Sequence, residues 1–448
     1  MRRILLHFLA ILAGLLTGFS SSRAMEKDGT GAAVYHLSCA APRAAGLEPA
    51  RLKKIDAIVE EAIREGATPG AVVLVLKDGE IVFDRAYGHH TYEQDLPTRS
   101  TDIFDLASIT KISATTLAVM RLVDLGKLNL DATVGTHLRE LKKSHPDKAK
   151  IRIRDLLTHQ AGFVPEIPFY AMVKETDHRP RSSKSYPVRV SESYYLKKNF
   201  YKEVMWPKLL ATPLKTPGQY VYSDLGMYIL KEIVERIVGK KLDAYVEEKF
   251  YRPLGACTMG FCPWERQDKE RLVPTGIDGY FRKQLLHGFV QDPGAALSGG
   301  VAGHAGLFAT AYDLALIGQM LLNGGSYGGR EYFRPGTVRQ FTARQSAASR
   351  RGLGFDRWDP DSKEGYPAKL ASPETFGHTG YTGTCLWIDP ERRLVYVFLS
   401  NRTYPKGDNK LLKLNVRARV QDAIYEAMGV GVGERPTRLV KAAKGKGK

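Results

Sequence analysis

The stretch Gly70-Ala-Val-Val-Leu-Val-Leu-Lys-Asp-Gly-Glu-Ile-Val-Phe83 decides the architecture. An unbroken, Val-rich apolar run from Gly70 to Leu76 reads as a buried strand. Lys77-Asp-Gly-Glu80 supplies a hairpin turn, and Ile81-Val-Phe83 opens the return strand. Just upstream, Leu52, Ile55, Ile58, Val59, Ala62 and Ile63 fall on one face of a helix over 47–66. A strand pattern returns only near the other end of the chain. Thr384-Cys-Leu-Trp-Ile-Asp389 is one strand, Pro390-Glu-Arg-Arg393 a turn, and Leu394-Val-Tyr-Val-Phe-Leu-Ser400 another. A last helix is expected over 411–428, with Leu412, Val416, Val420, Ile424 and Tyr425 inward. Between the two ends the spacing is mostly helical, most clearly over 108–125, 222–238 and 311–322.

The expected fold class is therefore α+β. Both ends of the chain build one antiparallel sheet flanked by N- and C-terminal helices, with a large, mostly helical insertion. By this reading residues 45–100 and 330–428 form a discontinuous sheet domain, and 101–329 the insertion. Residues 25–44 are a linker and 429–448 a basic, disordered tail. A Tyr-, Lys- and Arg-rich connection over 165–210 is either a functional loop or a solvated excursion.

Composition narrows the class. The 448 residues are 43% hydrophobic and 25% charged, which excludes disorder as the main state. Four cysteines exclude a small disulfide scaffold. The net charge of +18 suits an anionic partner such as a cell-envelope surface or an anionic substrate. No zinc-finger spacing, RNP motif or basic helix with interleaved aromatics points to nucleic acid. Met1-Arg-Arg, the apolar run Ile4–Leu16 and Ser22-Arg-Ala24 have the order of an export leader with cleavage after Ala24. The run is shorter than the ~20 residues of a membrane span, so no stable transmembrane anchor is expected. The implied location is periplasmic or extracellular. There Cys257 and Cys262, on one short loop, either pair or stay free thiols.

Three motifs carry chemistry. In Asp105-Leu-Ala-Ser108-Ile-Thr-Lys111, a hydroxyl and an amine lie one turn apart at a helix start, on one face. Serine needs a neighbouring base to become a nucleophile. Helix-start N–H groups are free to receive developing negative charge. Ile109, Ile112, Leu117, Val119 and Met120 make this helix apolar, so Lys111 is expected to be partly buried with a lowered pKa. In Tyr222-Ser-Asp224, a phenol and a carboxylate stand at the mouth of the next apolar helix. In Phe376-Gly-His378-Thr379-Gly380-Tyr381-Thr-Gly-Thr384, glycines permit close approach of a ligand to a strand edge. A fourth, glycine-dense segment runs from Gln291-Asp292 to Gly303-His304.

The order of these motifs inside a sheet–insertion–sheet layout resembles the serine β-lactamase and penicillin-binding protein superfamily. The similarity is greatest to the class C β-lactamase-related serine hydrolases and their esterase and amidase branch. The resemblance covers roughly 45–428. It implies Ser108 as the acylated nucleophile, Lys111 as its proton-relay partner and Tyr222 as the general base. It implies an oxyanion hole from the N–H groups of Ser108 and Tyr381, and substrate contacts from Asp224, His378, Thr379 and Gly380. His378 stands where many relatives have Lys, and Asp224 where many have Asn. A mostly neutral His is a weaker anion anchor, and Asp224 adds negative charge. Both lower the expectation of β-lactamase or D,D-carboxypeptidase activity.

The 291–304 segment is similar to one in relatives linked to muropeptide recycling, some of which split N-acetylmuramic acid from the first L-Ala. That resemblance places Asp292 and His304 in the cleft. The substrate expected is a small molecule or muropeptide carrying an amide or ester, hydrolysed without cofactor or metal. Turnover of β-lactams or D-Ala-D-Ala peptides, or capture of a muropeptide without turnover, are the alternatives. His159, in Leu157-Thr-His159-Gln-Ala-Gly162, reads as structural.

Overall fold

In a computed structural model, the residues described are 25–27, 33–94 and 96–431. The expected leader and nearly all of the basic tail lie outside them. The elements that frame the site are α1 (Pro49–Arg64), β1 (Gly70–Lys77), β2 (Glu80–Gly88), α2 (Thr116–Asp124), α3 (Leu225–Val238), α4 (Pro293–Leu297), α5 (Ala311–Leu322), β3 (Asp356–Arg357), β4 (Phe376–Thr379), β5 (Cys385–Asp389), β6 (Leu394–Ser400) and α6 (Val416–Ala427).

The strands form one six-stranded antiparallel sheet in the order β3-β4-β5-β6-β1-β2. β1 lies at its heart, pairing with β6 from Leu394↔Lys77 to Ser400↔Ala71 and with β2 from Gly70↔Gly88. Its sequence runs apolar without alternation because both faces are covered. Val72, Leu74 and Leu76 face the large core that includes α2, α3 and α5, while Ala71, Val73 and Val75 face α1 and α6.

Three departures from the expected elements have physical causes. The helix expected over 108–125 starts later, and Lys111–Thr115 form a wide π-type turn before α2. The last helix is split by Asn415, which takes a left-handed φ of 49° between Lys410–Lys413 and α6. The 165–210 stretch holds a small three-stranded sheet of its own (His178–Arg179, Tyr194–Leu196, Val188–Ser191) rather than an open loop. All four cysteines are free, so Cys257 and Cys262 do not pair. Among the described residues no helix is long and apolar enough to cross a membrane.

α5 is apolar almost all round because it lies between the sheet and the helical part, touching β1, β5 and β6. A Cβ on its Gly318 would fall 2.6 Å from Val395 Cγ1 and 3.1 Å from Leu386 Cδ1. Gly318→Val should therefore cost about 1–3 kcal/mol by overpacking. The check is a lower urea midpoint at unchanged m-value.

Candidate active site

Ser108 stands in the tight turn between a short strand at Phe104–Asp105 and the helix start. The residue before it, Ala107, is held at φ 46°, a left-handed conformation that costs energy and needs support. The support comes from both sides. The buried Asp105 carboxylate accepts from the N–H of Ala107 at 2.9 Å and of Gln291 at 2.7 Å. The Thr382 and Thr384 hydroxyls donate to the carbonyls of Asp105 and Leu106, at 2.7 and 3.1 Å. A Cβ on Gly380 would sit 2.5 Å from the Leu106 carbonyl oxygen, so only glycine lets the 380–384 loop come this close. The glycine expected to make room for a ligand makes room for the turn that carries Ser108. Among the described residues the N–H groups of Ser108 and Tyr381 have no hydrogen-bond partner.

Lys111 is fully buried, not partly as expected. Its ammonium donates to Ser108 Oγ at 2.9 Å and to the His304 carbonyl at 3.2 Å, and lies 2.7 Å from Asp224 Oδ1. The expectation of a lowered pKa is overturned. Burial alone would strip the proton, but the Asp224 charge and the Tyr222 phenol outweigh it and hold Lys111 above its ordinary value. Asp224 occupies the N-cap position of α3 yet makes no side-chain cap, because its carboxylate is turned to Lys111. Tyr222 lies with its ring centroid 5.0 Å from Lys111 Nζ and is backed by His159 at 4.6 Å. His159 is buried, exchanges two contacts with the Ser223 backbone and is kept neutral by burial and by the Arg351 charge, as a structural residue should be.

These groups open onto a cleft of about 360 Å³. Ser108, Tyr222, Asp224, Asp292, His304 and Tyr381 all line it, so six expected residues converge. Asp292 caps α4 through the Ala295 N–H at 2.6 Å and binds His304 Nε2 at 2.9 Å. Burial opposes its ionisation, but His304 pulls it down to about 2. Ligand atoms of Asp224, Asp292 and His304 lie within 4.8 Å of one another, the spacing of a metal site. Their carboxylates are already spent on Lys111 and His304, and a cation there would face the Lys111 ammonium. The cleft also has walls with no expected role, notably Glu166, Tyr170, Tyr228 and Tyr280. Glu166 is raised by burial and by the neighbouring charges of Asp224 and Asp292.

Comparison with known proteins agrees with this geometry. A family model described as "Beta-lactamase" matches residues 55–421. An Escherichia coli O157:H7 protein named "Putative D-alanyl-D-alanine carboxypeptidase" is 34% identical over 393 residues, covering 82% of this chain and 86% of that protein. The chain belongs to the β-lactamase family. A protein of the same printed name from Salmonella schwarzengrund (strain CVM19633) is 35% identical over 405 residues, covering 85% and 89%. Among solved structures, the hydrolase EstCE1 superposes with a TM-score of 0.61 at 23% identity, covering 84% of this chain and 98% of its own. A D-amino acid amidase from Ochrobactrum anthropi SV3 gives 0.61 at 18%, covering 84% and 99%. These last two show the shared fold. The protein is thus a serine hydrolase of the β-lactamase family.

His378 is placed differently from the other expected residues. It lies on β4, beyond the two residues that β3 covers, yet it is buried and does not line the cleft. Nδ1 meets the Thr379 carbonyl at 2.7 Å, and Nε2 faces Arg351 Nη1 at 3.0 Å. Burial and Arg351 push its pKa down to about 3, so it is a neutral acceptor. Thr379, likewise absent from the cleft wall, supplies the carbonyl that fixes this ring. Arg351 is itself paired with Asp356 at 3.3 Å and lies over the Tyr222 ring at 5.2 Å. The sequence reading passed over Arg351; its signal was the pair Arg350-Arg351 set directly before the apolar Gly-Leu-Gly-Phe355.

Two outcomes follow. His378→Lys would set an ammonium against the buried Arg351 and should cost about 3 kcal/mol or more. The check is thermal unfolding, with Arg351→Met expected to recover part of the loss. Asp105 is raised by burial to about 6. The unfolded chain releases that proton near ~3.9, so the folded state loses stability as pH rises from 4 to 6 and the cost is complete above. Asp105→Asn should flatten this slope, and melting curves that stay parallel to wild type between pH 4 and 7 would contradict it.

Proposed function

We propose that the protein is an exported hydrolase that forms an acyl-enzyme on Ser108 and cleaves an amide in peptidoglycan-derived substrates. The bond between a muramyl lactyl group and its first L-Ala is the favoured target. The observation that carries the chemistry is the 2.9 Å contact between Lys111 and Ser108 Oγ beside Tyr222. With Lys111 held as an ammonium, it is a poor base, which leaves the proton transfers to Tyr222. Tyr222, whose ring lies beside the Lys111 ammonium, acts as the general base and takes the Ser108 proton as Oγ attacks the carbonyl. The N–H groups of Ser108 and Tyr381 receive the oxyanion. Tyr222 then returns the proton to the leaving amine, and a water repeats the sequence to free the acid.

The choice of target rests on charge. The cleft wall carries three carboxylates, Glu166, Asp224 and Asp292, and among its described residues neither Lys nor Arg. Asp224 and Asp292 already occupy Lys111 and His304, so no cation on that wall is left to receive a free C-terminal carboxylate beside the scissile bond. A second reading, D-alanyl-D-alanine carboxypeptidase, is favoured by the names of the relatives at 34–35% identity.

Ser108→Ala should abolish labelling by a fluorophosphonate and lower turnover by roughly 10³ or more. Labelling that persists in the variant ends the assignment. Intact-mass measurement after incubation separates the two targets. N-acetylmuramyl-L-alanyl-D-isoglutamine should add the muramyl acyl group, and diacetyl-lysyl-D-Ala-D-Ala should add little. The reverse pattern selects the carboxypeptidase.

A further inference from the structure

The catalytic cleft does not end at its acidic wall. Tyr170 and Tyr280 line it on one side and line a second groove, of about 610 Å³, on the other. That groove is walled by the rings of Tyr170, His178, Tyr194, Tyr280 and Phe281. They form one connected array. Tyr170 lies 5.1 Å from Tyr280, Phe281 lies 5.2 Å from Tyr194, and His178 stacks on Tyr194 at 4.3 Å. Ser193, Lys283 and Gln284 add polar groups to the same wall.

Tyr280 is 59% exposed. It is nevertheless rigidly presented. It sits in the turn of a hairpin, Gly276–Asp278 with Gln284–Leu286, whose Asp278 carboxylate accepts from the N–H groups of Tyr280 at 3.2 Å and Phe281 at 2.9 Å. The same carboxylate pairs with the buried Arg282 at 2.7 Å, and Arg282 binds the carbonyls of Val290 and Gln291. Gln291 precedes the cleft residue Asp292 and is bonded to Asp105. An exposed ring is thus wired by buried polar contacts to the turn that holds Ser108. Holding it in place before a ligand arrives lowers the entropy cost of binding.

We infer that this groove is a saccharide subsite that receives a pyranose of the glycan while the attached peptide bond lies at Ser108. A pyranose has flat C–H faces and an equatorial fringe of hydroxyl or acetamido groups. It matches a wall of aromatic rings edged with Ser, Lys and Gln, and the volume lies in the range of small-ligand sites. The occupant is deduced from this chemistry together with continuity with the cleft, so it rests on the muropeptide reading above and adds to it which part of the substrate provides affinity.

The test separates binding from chemistry. Tri-N-acetylchitotriose is titrated into Ser108→Ala protein by calorimetry, where no turnover intervenes. It should bind with a Kd of about 1 mM or tighter. Tyr280→Ala in that background should weaken binding about fivefold or more, and Tyr280→Phe, which keeps the ring, should restore it to within about twofold. Equal melting temperatures establish that the variants fold. Absence of sugar binding overturns the inference, as does binding that ignores Tyr280. So does a sugar-free stem peptide that depends on Tyr280 as strongly as the sugar does. If Ser108 labelling fails its own test, the catalytic reading falls while this titration still reads the groove.

Discussion

A single buried positive charge organises this protein. An ammonium fully removed from water is expensive unless each of its protons and its charge are answered. Lys111 is answered by the Ser108 hydroxyl, the His304 carbonyl and the Asp224 carboxylate, from three segments far apart in the chain. Misplacing any of them leaves a charge stranded in the core. The stability of the helical part and the placement of Ser108 are for that reason one requirement. The wide turn at Lys111–Thr115 belongs to the same bargain. Its neighbours are fixed by the Thr115 hydroxyl on the Gly303 carbonyl and the Tyr251 hydroxyl on the Ser113 carbonyl.

Positive charge near the cleft stands behind its wall and not on it. His378 is neutral and covered, and the positive charge behind it is Arg351, facing the rings of Tyr220 and Tyr222. Two cations, Lys111 and Arg351, therefore bracket the Tyr222 ring at 5.0 and 5.2 Å, while the open cleft shows carboxylates. Positive charge is spent on the phenol, not on the ligand. This distribution is independent of the protein's overall +18.

Much of the fold was legible because its signals are local. The strand Leu394–Ser400 and the helix Ala311–Leu322 appear with the bounds their patterns imply. The convergence of Ser108, Lys111 and Tyr222 was legible through motif order. What was not legible depends on contacts across the chain. β3 and β4 are short and carry charge and glycine, so they show no strand period; pairing of β4 with β5, and of β3 with β4, makes them strands. The pKa of Lys111 turned on Asp224 pointing away from its own helix, which spacing cannot show. The same holds for Arg351 and Tyr280, whose roles are set by what faces them.

The sheet's order has a consequence for how the chain matures. β1, made early, is the seam between β2 and β6, and β6 is made only after most of the insertion. Such distant pairing is slow, and its first half exposes an apolar ribbon meanwhile. Gly70–Leu76 stays exposed along one edge until Leu394–Ser400 pairs with it, and a truncation that removes the last two strands leaves that apolar edge open to association and not a smaller enzyme.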